Sequence, residues 1–220
     1  MRGRRVFADV PHEPDPTLWA DPFLLGTNAL LFGIHRVVTP TASVVFREPF
    51  LPPEDASSPR PRIYMTWHRL NYVTMLMLNA LPREARPTIV AHDGIASRAF
   101  SHRSSEWLGY EVFVFHRRSP VSPREQIARY MAETGRSILN LPDSGGPYGV
   151  VKPGILEVAR ASNARIVPFQ VSSTPTVTVG TKLRHVIPVP FCRIDVRRGP
   201  ALDGTATVAD CQGALDALAS

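Results

Sequence analysis

The stretch RIYMTWHRLNYV, residues 62–73, joins a strand pattern to a helix pattern with a histidine between them. Ile63 to Thr66 is a short apolar run typical of a strand, and Leu70 to Leu81 has the apolar content of a mostly buried helix. A strand that leads directly into a helix is characteristic of α/β proteins. His68 therefore lies at a strand-to-helix junction, where a catalytic base, a metal ligand and a turn residue are open alternatives.

The same alternation continues along the chain. Further strands are predicted at Thr88 to Ala91, Tyr110 to Phe115, the segment SILNL and Arg165 to Val171, and further helices after Ser122 and at Ile155 to Ser162. Strands that alternate with helices predict a single α/β domain, a mostly parallel mixed sheet flanked by helices. We place this core at residues 62–220 and expect residues 1–61 to be an N-terminal arm and helix packed on it.

The helix after Ser122 has clear start and stop signals. Ser122 is the predicted N-cap, Pro123 is the first helical residue, and Glu125 completes a capping box with Ser122. Gly135 is expected to end the helix because glycine adopts the left-handed conformation easily.

The composition limits the kinds of partner. The chain has 220 residues, 44% of them hydrophobic, and a net charge of +6, which is typical of a soluble globular protein that binds anionic groups such as phosphates, acyl-carrier surfaces or anionic lipid. It has no clustered basic helix, zinc-finger spacing or aromatic RNA-binding strand, so nucleic acid is not expected as a partner. Its cysteines, Cys192 and Cys211, form no disulfide framework, which is consistent with a reducing cytosol.

The run FLLGTNALLFGI, residues 23–34, is too short to span a bilayer, which needs about 20 apolar residues. A buried core helix is the favoured interpretation, and the alternative is an amphipathic segment on a membrane surface beside the basic sequence MRGRR. We therefore expect a cytoplasmic protein, with peripheral contact to the inner membrane face as the open alternative.

Polar residues follow each predicted strand at its carboxyl end, which is where open α/β sheets bind ligands. They are His68, Asp93, the pair Arg117 and Arg118, and Asp143. Four such positions in succession predict one functional site at this edge of the sheet. No metal-ligand spacing occurs among the histidines, so no metal is expected.

The sequence PDSGGP, residues 142–147, resembles the segment around the nucleophile of chymotrypsin-like proteases. The order His68, Asp93, Ser144 also matches the order of their catalytic triad. The predicted helices disagree with that all-β fold, and Pro142 stands where those proteases have glycine. A serine hydrolase that uses Ser144 therefore remains the runner-up.

A second resemblance covers residues 63 to about 201. The elements Trp67-His68, Asp93-Gly94, Arg117-Arg118-Ser119, LPDSGGPYGVVKPG (residues 141–154) and RIVPF (residues 165–169) follow one another in the order typical of the lysophospholipid/glycerolphosphate acyltransferase superfamily. The chain resembles a poorly characterised bacterial branch of it, which has a WH motif and a PDGPRGP-like loop. IPVPF, residues 187–191, matches a late element of the family.

The resemblance implies that His68 is the general base of an acyl transfer from a thioester, either acyl-CoA or an acyl-carrier protein, to a hydroxyl or amine of a small molecule or lipid. The family pairs this histidine with an aspartate five positions later, and here that position is Val73. Asp93 or Asp143 is therefore the expected supporting carboxylate. A catalytically silent lipid-binding protein is the alternative outside enzymes.

The expected substrate-binding residues are Trp67, Arg117, Arg118, Ser144, Gly145 and Gly146. The arginines are expected to hold a phosphate of the donor, and no cofactor beyond the acyl donor is expected. The family's arginine in the loop after the fourth strand, which contacts a phosphate of the acceptor, is missing from residues 144–148.

Overall fold

The computed structural model describes residues 30, 32–50, 60–94, 108–181 and 184–219. Most of the apolar run at residues 23–34 lies outside this part of the chain, so the expected buried helix there is described only at residues 30 and 32–34. The backbone is helical at these positions and continues so to residue 38. Leu30 is 64% exposed, whereas Ile34 packs against the core.

The described residues form one seven-stranded sheet in the order β1-β7-β6-β2-β5-β3-β4. Strands β2 to β6 run parallel to one another where they pair, β7 is antiparallel to β6, and β1 is parallel to β7. The strands are β1 (Ser43–Phe46), β2 (Arg62–Met65), β3 (Thr88–His92), β4 (Val112–Phe115), β5 (Ile138–Asn140), β6 (Arg165–Val179) and β7 (His185–Arg198). The edge strand β1 belongs to the segment predicted to be an arm.

Besides the helical backbone at residues 30 and 32–38, the described ranges contain four complete α-helices: α1 (Asn71–Asn79), α2 (Pro123–Thr134), α3 (Gly154–Ala161) and α4 (Val208–Ala217). The predicted fold class is confirmed, because the sheet is mixed, mostly parallel and flanked by helices. No helix in the described ranges is both long and apolar enough to cross a membrane.

The centre of the sheet is buried on both faces, as expected for parallel strands covered by helices. All four residues of β2 are buried, and Ile63 and Met65 are fully inaccessible to solvent. Helix α1 is buried continuously from Val73 to Leu78. Val73, where the family resemblance implies an aspartate, is therefore part of the hydrophobic core.

Helix α2 begins and ends where the sequence predicts. The Ser122 hydroxyl accepts a hydrogen bond from the Glu125 N–H at 3.2 Å, and Gly135 adopts a left-handed conformation with φ of 67°. The predicted capping box is only half formed, because the Glu125 carboxylate turns outward to Arg129 at 3.4 Å. An exposed pair one helical turn apart competes with the reciprocal cap.

Strands β6 and β7 form a hairpin much longer than the predicted strand at 165–171. Its register shifts between Thr174 and Thr176, where several residues of β7 oppose one residue of β6. Such bulges bend a hairpin and re-aim its side chains. Phe191 lies in the irregular part with φ of 62°, and its N–H donates to the Thr41 hydroxyl at 3.1 Å. Strand β7 packs against α1 and against the turn that contains His68.

Candidate active site

His68 follows β2 at the carboxyl edge of the sheet. Trp67 is extended, with φ of −72° and ψ of 141°, and the chain then enters a single 3-10 turn, His68–Leu70, before α1 begins. Trp67 is buried in the core with 5% exposure, whereas His68 is only partly buried. The sharp change of direction after an extended residue turns His68 out of the core to the edge of the sheet.

Asp143 holds the His68 turn through the backbone. Strands β2 and β5 are neighbours with Met65 opposite Asn140, so residues three positions beyond each strand end meet. The Asp143 carboxylate is 1% exposed and accepts hydrogen bonds from the N–H of His68 at 2.9 Å and from the N–H of Gly149 at 3.0 Å. A buried carboxylate with two backbone donors fixes the turn and the loop after β5 relative to one another.

The loop after β5 is compact. Gly145, Gly146 and Gly149 have φ between 68° and 77°, a conformation that side chains with a Cβ adopt with strain. The Gly149 conformation allows its N–H to reach Asp143, and the ammonium group of Lys152 donates to the Ser144 carbonyl. The Ser144 hydroxyl is exposed, and no described residue forms a hydrogen bond with it.

The imidazole of His68 is surrounded by other rings. Its centroid is 5.6 Å from that of His185, with the ring planes at 87°, and 6.4 Å from the ring of Tyr148. The His185 ring in turn lies 5.2 Å from the ring of Tyr72. The Nδ1 atom of His68 is shielded from solvent and has no hydrogen-bond partner in the described part of the chain.

Burial lowers the pKa of His68 below the ordinary 6.5 of histidine, and the negative charge of Asp143 opposes this shift without cancelling it. The imidazole is therefore neutral at pH 7 and has a lone pair available to accept a proton. Burial also lowers the pKa of His185, and the neighbouring His68 ring adds to that shift. Two adjacent rings whose pKa values are both lowered favour an uncharged pair near neutral pH.

The other predicted residues form a second group at the same edge of the sheet. Asp93 accepts a hydrogen bond from the Arg117 N–H at 3.3 Å, and its second oxygen is 3.6 Å from Nδ1 of His116. Strand β5 lies between β2 and β3, so the two groups are separated by about 10 Å, which is two strand spacings. Asp143 is thus hydrogen-bonded to the His68 turn, whereas Asp93 is hydrogen-bonded to the backbone that follows β4.

Arg117 and Arg118 are exposed at the end of β4. Among the residues that are described, neither guanidinium group forms a hydrogen bond or a salt bridge. In those same ranges, no group of three or more metal-ligating side chains is placed to hold an ion. No hydrogen bond joins Ser144 to the His68 ring in the described structure. His68, Asp93 and Ser144, which follow the order of a protease triad in the sequence, therefore do not form a connected triad.

Sequence reasoning did not identify His185, Tyr72 or Tyr148. Tyr148 belongs to the loop already selected, and Tyr72 is one helical turn after His68, so helical spacing alone predicts its proximity. His185 begins β7, is distant from His68 in the sequence, and meets it through the tertiary fold. A single histidine before an apolar strand carries no local signal of that contact.

The chain is similar to the solved structure of the 1-acyl-sn-glycerophosphate (LPA) acyltransferase, PlsC, from Thermotoga maritima. The TM-score is 0.52 and the sequence identity 13%, over 91% of this chain and 86% of that chain. No protein-family model and no curated protein matches the sequence. At this identity the similarity shows a shared fold, in agreement with the architecture described above.

Proposed function

We propose that the protein is an acyltransferase that moves an acyl group from a thioester donor to a hydroxyl or amine acceptor, with His68 as the general base. One observation carries the proposal. A neutral, partly buried histidine lies at the carboxyl edge of a parallel sheet, and a buried carboxylate fixes the turn that bears it. The fold shared with a lysophosphatidic acid acyltransferase supports the same chemistry.

The reaction requires one proton to move twice. As the acceptor oxygen or nitrogen attacks the thioester carbon, Nε2 of His68 takes the proton from the attacking group. The resulting tetrahedral oxyanion collapses, the carbon–sulfur bond breaks, and the imidazolium returns its proton to the departing thiolate. The Asp143 charge favours the transient imidazolium, because it acts to raise the pKa of His68.

The donor is proposed to be an acyl-CoA or an acyl-carrier protein bound through its phosphates. Arg117 and Arg118 are exposed at the same edge of the sheet as His68, and planar guanidinium groups bind phosphate with paired hydrogen bonds. The net charge of +6 supports attraction of an anionic donor, or of an anionic lipid surface on which an acceptor resides.

The acceptor is expected to lack a phosphate group. Residues 144–148 provide no cationic side chain, and the ammonium group of Lys152 is already bound to the Ser144 carbonyl. The loss of a charge-assisted contact of about 1.5–3 kcal/mol weakens binding of a phosphorylated acceptor about 10- to 100-fold. We therefore predict that lysophosphatidic acid and glycerol 3-phosphate are poor acceptors.

A mass-spectrometric screen tests both the activity and the acceptor class. Acyl-CoA and acyl-carrier donors are offered with alcohols, amines and matched pairs of one acceptor with and without its phosphate. Acylated product is expected, in larger amount from the dephosphorylated member of each pair. A clear preference for the phosphorylated member would refute the acceptor prediction, and the absence of any product would refute the proposed activity.

A serine hydrolase that uses Ser144 makes a different prediction. If His68 acts directly on the acceptor, Ser144→Ala retains activity within about threefold, because no essential covalent intermediate is lost. A fluorophosphonate probe should also leave Ser144 unlabelled in the wild-type protein. Stoichiometric labelling of Ser144, together with loss of activity in the alanine variant, would identify it as the nucleophile instead.

A catalytically silent lipid-binding protein is the alternative outside enzymes. It is favoured by the lack of a described hydrogen-bond partner for Nδ1 of His68, since bases of this kind are usually held by a second group. This candidate predicts saturable binding of an acyl donor without release of its thiol, which equilibrium dialysis and a thiol assay on the same samples distinguish from turnover.

A further inference from the structure

Two histidine rings at the site each have a buried Nδ1 atom that lacks a hydrogen-bond partner. Nδ1 of His68 and Nδ1 of His185 are both shielded from solvent, and neither has a hydrogen-bond partner within the described ranges. A buried polar atom without a partner destabilises the fold, so such atoms are rare unless they serve a purpose. Here the two atoms belong to rings whose centroids are 5.6 Å apart.

The two atoms are chemically complementary. A neutral imidazole has one N–H donor and one lone-pair acceptor, and the tautomer decides which nitrogen carries the hydrogen. If Nδ1 of His68 carries the proton and Nδ1 of His185 does not, one donates to the other. The rings lie edge-to-face, with planes at 87° and centroids 5.6 Å apart, and a direct N–H···N contact requires a rotation that brings the two Nδ1 atoms to hydrogen-bond distance.

The position of His185 follows from the pairing and packing of β7. His185 is opposite Val179 at the start of β7, and β7 packs against the turn that contains His68. The ring of Tyr72, with its centroid 5.2 Å away and its plane at 70°, also contacts the His185 ring. His185 is therefore in ring contact with a residue of α1 and with the proposed base.

No side chain in the described ranges is hydrogen-bonded to the His68 ring. The two oxygens of Asp143 accept hydrogen bonds from backbone N–H groups, and Val73 is an inaccessible core residue. Tyr148 is in ring contact at 6.4 Å and is 44% exposed, so it offers a looser constraint.

We propose that His185 is a positioning residue for His68: its Nδ1 accepts a hydrogen bond from the Nδ1–H of His68 and so directs the lone pair of Nε2 toward the acceptor. The effect on rate depends on the proposed function, whereas the hydrogen bond itself does not. Asp143 then supplies negative charge and His185 supplies orientation, so the two roles are divided between two residues.

The hydrogen bond is tested without substrate by NMR on the wild-type protein labelled with ¹⁵N-histidine. The signals are assigned with the single variants His68→Gln and His185→Gln. The proposal predicts that His68 is the Nδ1–H tautomer and that a scalar coupling across the N–H···N bond links it to His185. An Nε2–H tautomer of His68, or a single Nδ1–H tautomer without the coupling, would overturn the proposal even if the protein proves to be an acyltransferase.

Two substitutions of His185 separate hydrogen bonding from packing. Glutamine keeps an acceptor oxygen, whereas phenylalanine keeps a ring of similar shape without an acceptor. His185→Phe is expected to give mixed His68 tautomers and to lower kcat about tenfold with little change in KM, while His185→Gln keeps most of the rate. Arg129→Gln changes an exposed side chain of α2 outside the site and serves as the control with both readouts unchanged. Equal tautomer populations in all four proteins would show that His185 only packs against His68.

Discussion

His68→Gln is expected to lower acyl transfer about 10²- to 10⁴-fold, the usual loss when a general base is removed. Glutamine has a similar reach and polarity but no basic nitrogen, so it cannot take the proton of the acceptor. The change is expected to leave the fold intact, because Asp143 binds the backbone N–H of residue 68 and not its side chain. Steady-state assays with the acceptor identified by the screen measure the loss, and circular dichroism with thermal unfolding provides the control.

The pH dependence of kcat/KM identifies the same residue. The base must be neutral, and burial lowers the pKa of His68 below 6.5. Activity should therefore persist as the pH falls below 6.5 and disappear only as the pH passes through the lowered pKa. A folded His68→Gln protein with near-normal turnover, or an acid limb well above pH 6.5 in the wild type, would show that another group is the base.

Asp143→Asn is expected to impair both stability and activity. An asparagine accepts one of the two backbone hydrogen bonds and faces the other N–H with its own donor. Loss of one charge-assisted bond at a buried position lowers the free energy of unfolding by about 2–4 kcal/mol. Activity at pH 7 should fall at least about tenfold, because the imidazolium loses its nearby negative charge.

Asp93→Asn is the matched control for the second carboxylate. Its side chain is 26% exposed and lies with His116 and the Arg117 N–H, and the asparagine oxygen can still accept from that N–H. We expect activity within about threefold of wild type and a stability change below about 1 kcal/mol. The acid limb of kcat/KM should move to lower pH in Asp143→Asn and stay in place in Asp93→Asn. Chemical denaturation measures the stability changes, and pH–rate profiles measure the acid limbs. The opposite pattern would make Asp93 the supporting carboxylate.

Local sequence patterns predict the central part of this fold well. The apolar run at 63–66 and the start and stop residues of α2 are local signals, and the structure has β2 at Arg62–Met65 and α2 at Pro123–Thr134. Polar residues after strands are expected to gather at one edge, and the backbone N–H of His68 lies at hydrogen-bond distance from the Asp143 carboxylate. The expectation rests on strand polarity, which alone brings carboxyl ends together.

The order of the strands in the sheet is a long-range property that local patterns do not contain. Because β5 inserts between β2 and β3, Asp143 and not Asp93 reaches the His68 turn. The proposed role of His185 depends on a ring contact with His68, a residue distant in the sequence, so it too is a long-range property. The same limit applies to the short edge strand β1, whose pairing partner β7 is distant in the sequence.

The most direct test of acyl transfer is the stoichiometry of a donor labelled in its acyl group. The acceptor found by the screen is mixed with the wild-type protein, and released thiol, acylated acceptor and free acid are quantified together. Acyl transfer predicts one acylated acceptor for each thiol released, with little free acid, and slow thiol release when the acceptor is omitted. Thiol release that yields free acid at the same rate with and without acceptor would contradict this account, as would donor binding with no thiol release at all.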